Sequence, residues 1–345
     1  MKILYGIQTT GNGHICRSRE IVAALKRRGH EIQVILSGRA STMPKELQVF
    51  APYTILRGLT FISEKGRLKP LKTAMGLNFA QLYRDIGSFD VTGVDLVITD
   101  FEPISARIAR RHGIPSIGIA HQYAFSYDVP IARGYPLGLF ILKNFAPADY
   151  LLGLHWHHFG QPVLPPIVPG YLKAGPQALA DKIVVYLPFE DLGEIRRQLG
   201  NLAGHQFYIY HGSCGQKEDA GNLHFRPLSR EGFLGDLRDC GGVICNAGFE
   251  LTSEALHLGK RVLAKPLAGQ IEQESNALAM SRLGLGTVFS KLNPDLIRTW
   301  LETAPVSSAE AAAYPNVTEC IAEWVAGRRW NNIGDFARAV WDMKC

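Results

Sequence analysis

Cysteine is scarce: six in 345 residues, none in a Cys-x-x-Cys pair. Most stand in apolar or helical contexts. A disulfide framework is not expected, and a reducing, cytoplasmic setting is. Long apolar runs are also missing. Leu139-Phe140-Ile141-Leu142 falls far short of the ~20 residues of a membrane span. No secretory leader is expected, because Met1-Lys2 runs straight into a strand pattern. Basic clusters are few, since Lys and Arg are scattered. The densest run, Lys26-Arg27-Arg28, closes an expected helix, where cations suit the dipole. A nucleic-acid partner is therefore not expected. Nor is a metal: in His155-Trp156-His157-His158 the last two histidines are adjacent and diverge, and no Asp, Glu or Cys is interleaved. No internal repeat is detectable.

What is present is ordinary for a soluble two-domain chain: 46% hydrophobic and 20% charged residues. The net charge of +6 with a pI near 9.0 suits anionic substrates or an anionic membrane surface.

The most informative stretch is Gly241 to Asn276. Val243-Ile244-Cys245 reads as a buried strand, Asn246-Ala247-Gly248 as a tight turn, and Phe249 to Leu258 as a helix stopped by Gly259. Arg261 to Ala264 is a second strand closed by Pro266, and a polar loop follows to Gln273. A strand, a small-residue turn and a helix N-terminus make a place for a phosphate. Glu250 and Glu254 share one helix face. Glu254 is within reach of a ribose joined to that phosphate, and a carboxylate can accept from both hydroxyls of a diol. A lone helix glutamate is more often simply solvated. Ala255, Leu256 and Leu258 beside this one, and Gln270 and Glu272-Gln273 after it, weaken that explanation.

Asn246, Gly248, Thr252, Ser253, Glu254-Ala255, Gly259, Pro266, Gln270 and Gln273 resemble the donor-binding box of nucleotide-sugar glycosyltransferases of the GT-B fold. The box is similar to that of the UDP-glycosyltransferases and of the bacterial lipid-intermediate N-acetylglucosaminyltransferase. The resemblance implies that Gly13, Asn246, Ala247, Gly248, Phe249, Thr252 and Ser253 meet the donor phosphates. It implies that Glu254 binds the ribose, that Gln270, Glu272 and Gln273 meet the sugar, and that Phe225, Arg226 and Leu228 line the nucleobase through main-chain groups. Plant members carry His in place of Asn246 and Gly in place of Ala247. Family members also have a Gly-Ser loop where this chain has Leu187-Pro188-Phe189-Glu190.

The chain opens with a strand at Ile3 to Ile7, a glycine turn from Thr9 to His14, a helix from Cys16 to Arg28 and a strand from Glu31 to Leu36. That βαβ start implies a parallel sheet. A dinucleotide fingerprint needs a third glycine and an acid after the second strand. This chain offers Cys16 and then Ser37-Gly38-Arg39, so only an NADP variant stays open. The resemblance instead gives His14 the role of base toward an acceptor hydroxyl, a task histidine suits, and Asp100 the role of its partner. Asp100 could equally cap the helix opened by Phe101-Glu102-Pro103, and Glu102 could substitute as the partner acid. Leu68 to Ile86 reads as helical. Residues 123 to 150 are aromatic and Pro-rich. Core packing explains such a stretch more often than a surface for a hydrophobic substrate does.

The expected fold is α/β, two Rossmann-like domains facing across a cleft. Residues 1–165 would form the acceptor domain, 166–180 a proline-rich linker, and 181–325 the donor domain. Residues 326–345 would supply a helix that packs back on the first domain. The expected function is inverting, metal-independent transfer of a sugar from a nucleotide-sugar, UDP-linked by preference, to an acceptor hydroxyl. The acceptor is unidentified, and a hydrophobic or lipid-linked one with peripheral membrane contact fits. The nucleotide-sugar is a substrate, and no cofactor is expected. A nucleotide-sugar epimerase or hydrolase of the same fold, and a non-catalytic nucleotide-sugar-binding partner, are the alternatives.

Overall fold

The computed structural model describes the chain except residues 39–46, 60–62, 65–66, 69–77, 174–177, 304–313 and 344–345. Its first half is built on β1 (Lys2–Gln8), β2 (Glu31–Ser37) and β3 (Tyr53–Leu56), a small antiparallel pair β4 (Ser63–Glu64) and β5 (Arg67–Leu68), and then β6 (Leu96–Asp100), β7 (Ser116–Ala120) and β8 (Tyr150–Gly153). Six of these pair in the order β3-β2-β1-β6-β7-β8, all parallel. Helices α1 (Asn12–Arg27), α2 (Phe79–Ser88), α3 (Pro103–His112) and α4 (Pro136–Asn144) accompany them.

The second half repeats the plan. Its strands are β9 (Leu179–Tyr186), β10 (Gln206–Tyr210), β11 (Glu218–Ala220), β12 (Leu223–Arg226), β13 (Cys240–Asn246), β14 (Arg261–Lys265) and β15 (Thr287–Val288). They lie in the order β11-β12-β10-β9-β13-β14-β15, parallel except for the edge strand β11. The helices are α5 (Leu192–Leu199), α6 (Arg230–Asp239), α7 (Phe249–His257), α8 (Ile271–Leu283), α9 (Pro294–Glu302), α10 (Thr318–Ala326) and α11 (Ile333–Trp341). Every residue of β6, β7, β13 and β14 is buried. That is why these strands read as continuous apolar runs instead of alternating ones: helices cover both faces of a parallel sheet.

In each sheet the strand order reverses beside the first strand, between β1 and β6 and between β9 and β13. Crevices open at such points, outside the carboxyl ends of the strands. The two Rossmann-like halves together have the GT-B architecture.

Several expectations need correction. Helix α1 begins at Asn12, after an extended Gly11, so Gly13 and His14 lie in its first turn and not in the preceding loop. Leu68 is in β5, and α2 starts only at Phe79, where the Asn78 side chain accepts from Gln81 N–H. The rest of that expected helix, residues 69–77, lies outside the described residues, as does Arg39. Gln270 to Gln273 are not a loop. Gln270 caps α8 by accepting from Gln273 N–H at 2.6 Å, which starts the helix early. Strand β11 has no signal in the sequence, because two acids and an alanine are too short a run to carry a periodicity.

Of the aromatic stretch, Tyr123, Phe125 and Phe145 are buried, while Leu137 and Phe140 on α4 are exposed. Among the described residues no helix is long and apolar enough to cross a membrane. The chain end returns to the first half. Trp341 Nε1 donates to Val163 O at 2.7 Å, and the Trp330 ring meets Tyr150 edge-on. Ile167, Val168 and Leu172 in the proline-rich segment are buried, and β9 begins at Leu179.

Candidate active site

Helix α1 leaves the end of β1 and carries His14 and Arg17 three residues apart, on one face. His14 Nδ1 lies 2.7 Å from Asp100 Oδ1, at the end of β6. Asp100 is fully buried and also accepts from Arg17 Nε at 2.9 Å, Arg17 Nη2 at 2.6 Å and Ser18 Oγ at 2.7 Å. Arg17 Nη2 also lies 2.6 Å from His14 Nδ1, so both partners hold the ring through that nitrogen and leave Nε2 for proton transfer. Burial would raise the Asp100 carboxyl, but Arg17 and His14 outweigh it and hold it below the usual carboxylate range.

Capping of the next helix falls to Glu102. It accepts from Ile104 N–H at 2.9 Å and Ser105 N–H at 2.6 Å, fully buried, and it is the N-cap of α3. Asp100 is not the cap, and Glu102 is not free to replace it. Their geometries decide this: Asp100 ends the strand facing α1, whereas Glu102 has the extended backbone of a cap.

Across the interface, α7 starts at Gly248. Among the described residues no side chain caps it, and a Cβ at Gly248 would meet nothing within 4 Å. Its leading N–H groups thus lack the usual side-chain acceptor. Arg17 reaches from α1 to pair with Glu250 in the first turn of α7. A Cβ on Gly13 would run into the Glu250 side chain, so glycine permits this approach. Burial pushes the Glu250 carboxyl up to about 7, against the pull of Arg17. Sequence reasoning missed Arg17, although its spacing from His14 could have revealed it.

The other expected donor residues divide. Phe249 is buried between two rings, stacked on His121 at 4.0 Å and on Trp156 at 5.3 Å. Ser253 Oγ donates to Phe249 O and accepts from Trp156 Nε1, so it joins the two halves. Thr252 and Ala247 are fully buried. Asn276 donates to Ala247 O at 2.9 Å, and its Oδ1 lies 2.6 Å from His121 Nε2. Asn246 Nδ2 donates to Lys265 O at 2.9 Å, while its buried Oδ1 has no partner among the described residues.

Glu254 is nearly buried and takes a two-pronged contact from Arg230 of α6, at 2.7 and 3.3 Å. Its carboxylate is therefore engaged by a guanidinium and is not an unpaired surface group. Gln273 Oε1 accepts from Leu267 N–H, and Gln122 Nε2 from the first half donates to Glu272 Oε2 at 3.1 Å. The three expected nucleobase residues point apart. Phe225 is in the core under Arg196, Leu228 is exposed, and Arg226 pairs with Asp219 at 2.7 Å. Arg226 also lines a cavity of about 500 Å³ with Tyr208, Tyr210, Pro227 and Ser229. Among the described residues no group of three or more His, Cys, Asp or Glu is arranged to hold a metal ion.

Solved structures share this fold along nearly the whole chain. The glycotransferase of kitacinnamycin matches with a TM-score of 0.62 at 16% identity, covering 98% of this chain and 97% of that one. MurG of Acinetobacter baumannii matches at 0.59 and 18%, over 94% and 99%. The spinosyn rhamnosyltransferase SpnG, complexed with thymidine diphosphate, matches at 0.58 and 14%, over 98% and 96%. At these identities the likeness is one of fold. No curated protein matches the sequence significantly. The family model for glycosyl transferase family 1 matches residues 1–305. With that match spanning both halves of the site, the chain belongs to glycosyl transferase family 1 and is a glycosyltransferase.

Proposed function

We propose that the protein transfers a sugar from a nucleoside-diphosphate sugar to an acceptor hydroxyl, with inversion and without a metal. His14 takes the hydroxyl proton through Nε2. Asp100 orients the ring and stabilises its protonated form. The hydroxyl oxygen attacks the anomeric carbon as the bond to the diphosphate breaks from the opposite face. The leaving diphosphate is held at the start of α7, where backbone N–H groups and the helix dipole favour negative charge. One observation carries this reading: the His14–Asp100 pair and the uncapped start of α7 occupy the two switch-point crevices, and the Arg17–Glu250 contact brings them face to face.

Glu254 serves the ribose in this reading, held in place by Arg230, and Gln270 and Glu272 serve the sugar. The cavity beside Arg226 accommodates the base. UDP and dTDP are both candidate carriers, the latter supported by the thymidine diphosphate complex of SpnG. The exposed Leu137 and Phe140 on α4 favour a hydrophobic acceptor.

Calorimetric titration with UDP, dTDP and GDP, followed by a screen of sugars and acceptors, tests the proposal. His14→Ala should abolish turnover and leave nucleotide binding intact. Equal loss of both, or turnover that survives the substitution, would remove His14 from its role.

A further inference from the structure

The loop that departs most from the family resemblance, Leu187 to Asp191, holds a charged device. Glu190 Oε1 accepts from Lys265 Nζ at 2.7 Å and from Asn246 Nδ2 at 3.4 Å. The three groups come from the ends of three adjacent strands: Glu190 follows β9, Asn246 ends β13 and Lys265 ends β14, with Asn246 and Lys265 in register. They lie at the switch point of the second sheet, one residue before the turn into α7. Both charged side chains are about nine-tenths buried. A buried ion pair costs desolvation that its attraction repays poorly, so it is weak evidence for a stabilising role. Asn246 also carries its unpartnered buried oxygen here, an acceptor suited to a sugar hydroxyl.

We propose that Lys265 is a ligand of the donor's diphosphate and that Glu190 is its resident counter-anion, displaced when the donor binds. This rests on the donor site being where the proposed function puts it. A carboxylate bonded at once to an ammonium and an amide reproduces, with one negative charge, what a phosphate would offer the same donors. The diphosphate carries more charge and also gains the N–H groups of α7, so it wins the exchange. A nucleoside monophosphate lacks the second phosphate that would reach Lys265 and leaves the Glu190–Lys265 pair intact, so the site discriminates by the number of phosphates.

The test is calorimetry on the full chain with UDP, dTDP, UMP and dTMP, for the wild type, Glu190→Gln and Lys265→Met. Glu190→Gln should bind the diphosphate about tenfold more tightly, with little change for the monophosphate. Lys265→Met should weaken the diphosphate by about tenfold, again selectively. If Lys265→Met fails to fold, Glu190→Gln still decides, because a gain in affinity cannot come from damage. Variants that shift the mono- and diphosphate equally, or that lower only the melting temperature, would make the pair structural and overturn the proposal. Wild-type protein that binds none of the four nucleotides would instead overturn the donor-site reading, and the Lys265 assignment with it.

Discussion

The two halves of the molecule share the order of six parallel strands, to which the second adds the edge strand β11, yet have opposite crevices. In the first, the acid at the switch point is saturated. Asp100 takes donors from His14, Arg17 and Ser18 in full burial. In the second, an uncapped helix start, an unpartnered amide oxygen and a lysine–glutamate pair meet at the corresponding place. In the proposed mechanism the saturated acid supports one proton-carrying ring, and the donors around the Glu190 carboxylate receive an anion. Topology fixes where each crevice lies, and the side chains that end the strands decide what it can do.

The sharpest way to break that contrast is to remove the ring. His14→Ala should lower turnover by about 10³-fold while nucleotide affinity, read by calorimetry, stays within a few-fold. If both fall together, the halves do not divide the work. Next in size is the ring sandwich that holds them together. Phe249→Ala empties the space between His121 and Trp156 and should cost about 3–5 kcal/mol of stability, measured by denaturant unfolding. A smaller loss would mean that α7 is anchored elsewhere. Gly13→Ala places a methyl against Glu250 and should cost about 1–3 kcal/mol. Measured against Glu250→Ala alone, adding Gly13→Ala should cost far less, and an undiminished cost would put the clash at another neighbour.

The smallest effect is one of slope. Burial raises Glu250 to about 7, above its ordinary value near 4.5, so the folded state holds its proton more tightly than the unfolded chain does. The stability this confers is fully present below pH ~4.5 and is lost as pH rises through about 7. Glu250→Gln should flatten that part of the stability profile, by on the order of 1 kcal/mol per pH unit between about pH 4.5 and 7. An unchanged profile would mean that Glu250 is ionised throughout.

The strands were legible because burial on both faces leaves apolar runs, as at Val243-Ile244-Cys245, and the GT-B architecture followed from those runs and the donor-box resemblance. His14 and Asp100 could be named through the resemblance, which assigns a base to the histidine after the first strand and its partner to the aspartate that ends a later one. The pairing of Arg17 with Glu250, more than two hundred residues apart, was not legible, nor was that of Glu190 with Lys265. Such contacts come from sheet register and helix docking, which no local pattern records. Phe249 shows the same limit. As a letter it looked like a phosphate-loop backbone position, and only the packing of His121 and Trp156 reveals that its side chain belongs to the first half as well. The role of Glu102 as cap, in place of Asp100, turned on backbone angles two residues apart.

The return of Trp341 to Val163, and of Trp330 to Tyr150, has a consequence for biosynthesis. Chains fold as they emerge, first half first. Here Trp341 and Trp330 can reach Val163 O and Tyr150 only after the second half has been made. These contacts therefore form late, and they tie the two halves together after each has its own core.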